Sequence, residues 1–341
     1  MIGIRVVKKN AEATSAYLKA HKLMDKQHLV FGRREFIYFP IISPGPDARK
    51  ALKRLGAIEV NERFRKRELG GDYRALLLNE LGKKEYENAV KSYDLIGDTA
   101  VIDAEPRLAK RIAKVIAGIN RNVKRVVNKK GAVSGIYRTR SFTNVYGKAG
   151  YEVGYRENGI TVCLDIRKAF FSPRLSYERK RISESARDRE NVVVMFAGVG
   201  PYAILIAKEH RGSRVVAMEL NRSACAYLKR NISINKVDNV TPVVGDVRRS
   251  AKEYKAFADR IVMPLPKDSY EFLDAALEMA KKRCVMHYYA FGDKDDPYKA
   301  HITGVKGFFK ERKRRVRVLF KRVVRTYSPM EVEIVIDFLV Y

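Results

Sequence analysis

The stretch Val192-Val193-Val194-Met195-Phe196-Ala197-Gly198-Val199-Gly200-Pro201-Tyr202-Ala203 reads as an apolar strand, a turn with two glycines, and a helix opened by proline. Glycine lets the backbone approach a ligand that a Cβ would hold off, and the helix start offers free N–H donors, so the turn predicts a nucleotide-like cofactor. Outward from it, 215–220, 240–244, 260–263 and 284–290 read as strands and 201–210, 222–232 and 270–281 as helices. Strand and helix alternating in this way predict an α/β fold with a parallel, doubly wound sheet. The end departs from that pattern: 315–325 and 330–341, around Ser328-Pro329, read as an antiparallel hairpin.

Gly198-x-Gly200-x-x-Ala203 also fits a dinucleotide fingerprint, so the turn alone does not separate NAD from S-adenosylmethionine. Glu219, closing the next strand, suits ribose hydroxyls in either case. Asp246 after the third strand can accept an adenine amino group, and Pro264-Leu265-Pro266 after the fourth is a rigid, donor-poor wall for a flat base beside a methyl donor. Methyl transfer is favoured over hydride transfer. Phe196, Gly198, Gly200, Tyr202, Glu219, Leu220, Asp246, Val247 and Met263 are the candidate contacts of S-adenosylmethionine.

The 341 residues carry 69 Lys+Arg against 39 Asp+Glu, a formal charge of +30 that calls for a polyanionic partner, nucleic acid ahead of a membrane surface. Cys163, Cys225 and Cys284 are too few and too scattered for a disulfide scaffold or a CxxC metal site, and no metal is expected. No apolar run reaches the roughly 18–20 residues of a bilayer span, and no signal-peptide core is seen, which together predict a cytoplasmic protein.

Three domains are expected, 1–67, 68–158 and 159–341, with a linker near Gly70-Gly71. In the first, 2–7 and 29–41 read as extended and 11–23 and 47–55 as helical; in the second, 73–90 reads as a helix and 93–102 as extended. Residues 107–130 hold nine basic and no acidic side chains, and Leu108, Ile112, Ile116 and Ile119 recur at near-helical spacing, so a buried stripe backs a cationic face expected to contact RNA, with Lys124 and Arg125 as contacts. Residues 151–156 and 161–166 around Asn158-Gly159 predict a hairpin, and Ser172-Pro173 the cap of a helix to about 186. Residues 306–325 have ten Lys or Arg and one acid, Glu311, and are expected on an RNA backbone, with Arg314 and Arg315 as contacts.

Several motifs together resemble the archaeal and eukaryotic tRNA (guanine-37 N1)-methyltransferases: Phe171-Ser172-Pro173-Arg174-Leu175 with Glu178-Arg179, Met195 to Pro201, His287-Tyr288-Tyr289, Val324-Arg325-Thr326-Tyr327-Ser328-Pro329, and Tyr93-Asp94-Leu95-Ile96-Gly97-Asp98. The resemblance spans nearly the whole chain. It implies a class I (Rossmann-like) methyltransferase domain using S-adenosylmethionine, preceded by two smaller α/β RNA-binding domains that touch the tRNA outer corner and the anticodon arm, in a monomer. Guanine N1 is a poor nucleophile while protonated, so the reaction needs a carboxylate base at N1 and a cation or donor on O6. The resemblance puts Glu178 in the first role and Arg138 in the second, with Arg140 a close competitor. Arg174 and Tyr177 are candidate walls, and Phe170, Phe171 and Tyr177 could stack on a base turned out of the anticodon loop.

Two positions depart from the family pattern. Val194 stands where an Asp is common, and Pro264-Leu265-Pro266 stands where guanine-methylating relatives carry Asn-x-Pro. The second departure resembles the archaeal subclass of wyosine synthesis, which also methylates C7 of 4-demethylwyosine in tRNA-Phe, so Pro264 and Pro266 join the catalytic candidates. Guanine N1 methylation alone is the alternative. A non-catalytic RNA-binding protein would explain only the charge, and an NAD-dependent oxidoreductase only the glycine turn.

Overall fold

The structure is a computed structural model that describes residues 1–25, 28–64 and 73–341, the side chains of 132–134 excepted. The expected linker at Gly70-Gly71 and the boundary at 67–68 lie outside the described residues. The chain divides into two compact units, Met1–Asn79 and Glu80–Tyr341.

In the first unit, β1 (Ile2–Val7), α1 (Ala11–Ala20), β2 (Phe31–Arg33), β3 (Phe36–Pro40), α2 (Pro46–Arg54) and β4 (Ile58–Asn61) build an antiparallel sheet ordered β2-β3-β1-β4. Ile4 and Val6 of β1 alternate inward onto Leu18 of α1 and Leu52 of α2, which closes a small core. The extended segment expected at 29–41 is a hairpin that reverses at Arg34, whose φ is +55°.

The helix expected at 73–90 is broken by Gly82 at φ +74° into α3 (Tyr73–Leu81) and α4 (Lys83–Asn88). In the second unit, β5 (Asp94–Ile96), β6 (Thr99–Ile102), α5 (Pro106–Ile119), β7 (Arg125–Ser134) and β8 (Thr139–Gly147) follow, with sheet order β5-β6-β7-β8. Leu108, Ile112 and Ile116 of α5 are buried, so the stripe read from the sequence is the packed face of that helix.

β9 (Glu152–Glu157) and β10 (Ile160–Asp165) form the expected hairpin, with Asn158 and Gly159 both at positive φ in its two-residue turn. The expected boundary at 158–159 runs through this turn. After a 3-10 turn at Pro173–Leu175 come α6 (Ser176–Ser185), β11 (Asn191–Val194), α7 (Pro201–Glu209), β12 (Arg214–Glu219), α8 (Arg222–Asn235), β13 (Val240–Val244), α9 (Val247–Ser250), β14 (Ala258–Met263), α10 (Leu273–Met279), β15 (Ala280–Asp293), α11 (Lys299–Glu311), β16 (Val316–Thr326) and β17 (Glu331–Val340). The Ser172 side chain makes no capping hydrogen bond, which corrects the expected helix start.

These strands make one seven-stranded sheet, β13-β12-β11-β14-β15-β17-β16, parallel from β13 to β15. The terminal hairpin is antiparallel, as expected, and extends the same sheet at β15. The two sheet faces carry separate cores. Val192, Val194, Val262 and Tyr289 share one with α6 and α7, while Val193, Met195 and Tyr288 pack with α10 and α11 on the other. Helix α11, with Val305, Phe308 and Phe309 buried, was not read from the sequence. Among the described residues no helix is long and apolar enough to cross a membrane.

Candidate active site

β11 ends at Val194 and the chain then turns sharply, with Phe196 at φ +54°, Gly198 at +57° and Gly200 at +91°. At Gly200 a Cβ would stand 2.3 Å from Leu228 Cδ1, so that glycine is required by packing as well as by φ. Around Gly198 the space is open, the nearest obstacle to a Cβ being the Phe170 carbonyl oxygen at 3.9 Å. Glu219 at the end of β12 takes the N–H of Gly198 on Oε2 and that of Asn221 on Oε1, both at 2.7 Å, and so pins the turn. Burial raises its pKa against the opposing backbone hydrogen bonds. A carboxylate has about four acceptor sites, which leaves it capacity for ribose hydroxyls. Asp246 caps α9 through Oδ1 on Arg248 N at 2.9 Å, and Leu220 is exposed beside Glu219. An open glycine turn flanked by these two carboxylates fits the adenosine part of S-adenosylmethionine.

Other expected contacts of the cofactor lie deeper. Tyr202 is buried with its hydroxyl donating to Tyr289 Oη at 3.2 Å, and Val247 and Met263 belong to the core. The Met263 carbonyl already accepts from Leu265 N at 2.9 Å and Ser269 Oγ at 3.1 Å, bonds that fix Pro264 and Pro266 in a tight, half-buried loop.

Glu178 sits on the underside of α6, only 2% exposed. Its Oε2 accepts from Tyr289 Oη at 3.1 Å and Arg181 Nε at 3.1 Å, whereas buried Oε1 accepts no hydrogen bond. The Arg322 guanidinium of β16 stands 3.4 Å from Oε1. Arg181 is in turn gripped by Asp337 of β17, at 2.6 Å and 3.4 Å, and Asp337 also takes the His287 Nδ1 hydrogen at 2.7 Å. Arg260 donates to His287 Nε2 at 2.6 Å, which fixes the neutral imidazole with its proton on Nδ1. Burial lowers the His287 pKa, opposed by Asp337 and helped by Arg260. Burial also resists ionisation of Asp337, but His287 and Arg181 outweigh it and bring that carboxyl down to about 2. The line Arg260, His287, Asp337, Arg181, Glu178 and Tyr289 therefore runs under α6 and holds the Glu178 carboxylate in one orientation.

The substrate-side candidates divide. Phe170 and Tyr177 are 51% and 58% exposed, and the Arg322 guanidinium stacks on Tyr177 at 4.6 Å. Phe171 is instead packed edge-on to Tyr155 beneath Arg179, which corrects its expected role as a free stacking surface. Arg179 is buried against Glu157 and donates to the Ser172 carbonyl at 3.1 Å, thereby anchoring the loop that presents Phe170. Arg174 pairs with Asp94 at 2.6 Å. Arg138, at φ +52°, and Arg140, 3.9 Å from Asp103, stand where β7 meets β8, and among the described residues no hydrogen bond or ion pair joins either to Glu178. Lys124 and Arg315 are exposed. Two expected RNA contacts are corrected: Arg125 is largely buried beside Asp98, and Arg314 donates to the carbonyls of Lys281 and Lys282.

Sequence reading missed Arg181, Tyr289, Arg322 and Asp337 as site residues. Two signals were present: the polar spacing Glu178, Arg181, Ser185 on one helix, and an aspartate inside the apolar run of β17.

A family model for the TRM5/TYW2 methyltransferase domain matches residues 154–319, one for the TYW2 N-terminal domain matches 73–150, and one for the tRNA methyltransferase 5 N-terminal domain matches 3–49. Trm5b of Pyrococcus abyssi, a tRNA (guanine(37)-N(1))-methyltransferase, is 42% identical over 250 residues, 72% of this chain and 74% of that one. Taw22 of Nanoarchaeum equitans, a tRNA (guanine(37)-N(1))/4-demethylwyosine(37)-methyltransferase, is 30% identical over 59% of this chain and 84% of its own. The structure of aTrm5 in complex with tRNALeu aligns with TM-score 0.70 at 29% identity, over 99% of both chains. That of Methanocaldococcus jannaschii TYW2 with AdoMet aligns with TM-score 0.58 at 27% identity, over 73% of this chain and 99% of that one.

Proposed function

The chain belongs to the TRM5/TYW2 methyltransferase family, and on that premise we propose that it methylates N1 of guanine 37 in tRNA, with Glu178 as the proton acceptor. Its cofactor is S-adenosylmethionine, which when bound supplies an electrophilic methyl group on a sulfonium sulfur. The observation that carries the reading is the oriented, buried Glu178 carboxylate with one oxygen, Oε1, left without a hydrogen bond. A buried acceptor with no donor is costly, and the N1 hydrogen of a guanine would satisfy it. Glu178 Oε1 would take the N1–H proton, leaving an electron pair on N1 for the methyl group that S-adenosylmethionine would supply. Glu219 and the turn at Gly198 hold the nucleoside end, while the exposed rings of Phe170 and Tyr177 offer stacking surfaces for an everted base. Glu178→Gln should lower the single-turnover rate at saturating tRNA at least 100-fold with S-adenosylmethionine affinity unchanged. A variant as fast as wild type would remove Glu178 from this role.

Residues 1–67 would touch the outer corner of the tRNA and 68–158 its anticodon arm, ahead of a methyltransferase domain at 159–341 in a cytoplasmic monomer. A second reading adds methylation of C7 in 4-demethylwyosine 37 of tRNA-Phe. It is favoured by Pro264, which has no side-chain amide to read guanine, and by the likeness to Taw22.

A further inference from the structure

Tyr202 lies two residues past Gly200, in the first turn of α7, where a side chain beside a nucleotide turn is expected to meet the cofactor. It turns inward instead. Its hydroxyl stands 3.2 Å from Tyr289 Oη, and the Tyr289 hydroxyl stands 3.1 Å from Glu178 Oε2, all three side chains being buried. The two rings meet edge to face with centroids 6.3 Å apart, so packing sets the separation of the hydroxyls. Their hydrogens have one consistent order. An ionised carboxylate only accepts, so Tyr289 donates to Glu178 and takes the Tyr202 hydrogen on its own oxygen. Burial raises the pKa of both phenols, which keeps both hydrogens in place across the neutral range. Two hydroxyls thus bridge the turn after β11 to the carboxylate on α6, by way of β15.

We propose that Tyr289, with Tyr202 behind it, is a positioning residue that holds Glu178 by Oε2 and so leaves Oε1 as the oxygen that accepts a proton. The inference rests on the reading of Glu178 above, and it takes Tyr202 out of the expected contacts of the cofactor. A donor on a carboxylate favours its charged form, so losing the hydroxyl moves proton uptake to higher pH and frees the carboxylate to turn. Tyr202 acts one bond further away, by orienting and polarising the Tyr289 hydroxyl. Arg181 of α6 and Arg322 of β16 face Glu178, and Asp337 and His287 stand behind Arg181. Arg179 and Glu333 bear on Tyr202. Exchange of either tyrosine for phenylalanine leaves all of these charges in place, so the change it produces belongs to the hydroxyl.

The test compares wild type with Tyr289→Phe, Tyr202→Phe, the double variant and Glu178→Gln, using the full chain and a tRNA transcript with guanine 37. Single-turnover rates at saturating tRNA and S-adenosylmethionine are followed against pH, and the S-adenosylmethionine Kd is measured separately. Tyr289→Phe should lose roughly tenfold on the plateau, and the acid limb of its profile should move up by about half a pH unit or more. Tyr202→Phe should move both in the same direction by less, and the double variant should be no worse than Tyr289→Phe, with Kd within about threefold throughout. A lower rate with an unmoved acid limb would mark Tyr289 as packing alone and overturn the proposal, as would a Tyr289→Phe profile equal to wild type. A Tyr202→Phe variant that weakens S-adenosylmethionine binding without moving the limb would return Tyr202 to the cofactor and overturn its part. If Glu178→Gln is slow and Tyr289→Phe is not, only this inference falls; if Glu178→Gln is as fast as wild type, the reading of Glu178 falls first and this one with it.

Discussion

Glu178 shows how far a single side chain could be read from the chain alone. The motif Ser172-Pro173-Arg174-Leu175 with Glu178-Arg179 singled it out, but nothing in it revealed that one oxygen would be tied to Tyr289, 111 residues away, and the other left facing Arg322. Residues adjacent in sequence declare their spacing, whereas partners supplied by β15 and β16 depend on sheet order. Glu219 and Gly198 were legible because a strand, a turn and the next strand determine them locally, and their 2.7 Å hydrogen bond follows from that geometry. Pro264 belongs to the same scale. The Met263 carbonyl bonds fix the Pro264–Pro266 loop, so exchanging its first proline for asparagine changes the groups offered to a base more than the backbone. Pro264→Asn should raise the ratio of N1 to C7 methylation when both tRNA-Phe substrates are assayed. An unchanged ratio would exclude Pro264 as a selector.

At the scale of elements, α6 is the instructive case. Its sequence Ser-Tyr-Glu-Arg-Lys-Arg-Ile-Ser-Glu-Ser reads as a solvated helix, yet Glu178 and Arg179 are buried and Arg181 nearly so. The helix docks on the sheet through polar groups, Glu178 on Tyr289, Arg181 on Asp337 and Ser185 on Arg260, rather than through an apolar stripe. The Ser172-Pro173 signal therefore located the helix, but its sequence did not declare a polar inward face. The Asp337 carboxyl, lowered from 3.8 to about 2, is worth about 2 kcal/mol of stability at neutral pH. A depressed carboxyl contributes fully above its unfolded pKa and loses its contribution as pH falls through the folded one. The stability difference between wild type and Asp337→Asn should thus be full at pH 5 and above and shrink from pH 4 toward pH 2, as followed by urea unfolding. A difference that does not change across that window would deny Asp337 its ionised role.

For the whole molecule, the α/β class, the parallel order of the sheet and the antiparallel end were all legible, because alternation of strands and helices restricts topology strongly. Helix α11 was missed because its sequence lies in a basic segment whose charge masks the buried Val305, Phe308 and Phe309. The +30 charge pointed to a polyanion, but individual contacts were less legible, since Arg125 and Arg314 serve the chain itself. Enough exposed cations remain that tRNA affinity should fall steeply with salt, by about 10³-fold or more between 50 and 200 mM if six or more phosphates are engaged. Affinity indifferent to salt would remove the electrostatic part of the account. The central claim, methyl transfer to position 37, is tested most directly with labelled S-adenosylmethionine and two tRNA-Phe transcripts, one with guanine 37 and one carrying 4-demethylwyosine 37, followed by nucleoside analysis. The account predicts 1-methylguanosine from the first and a C7-methylated product from the second; no labelled nucleoside from either would contradict it.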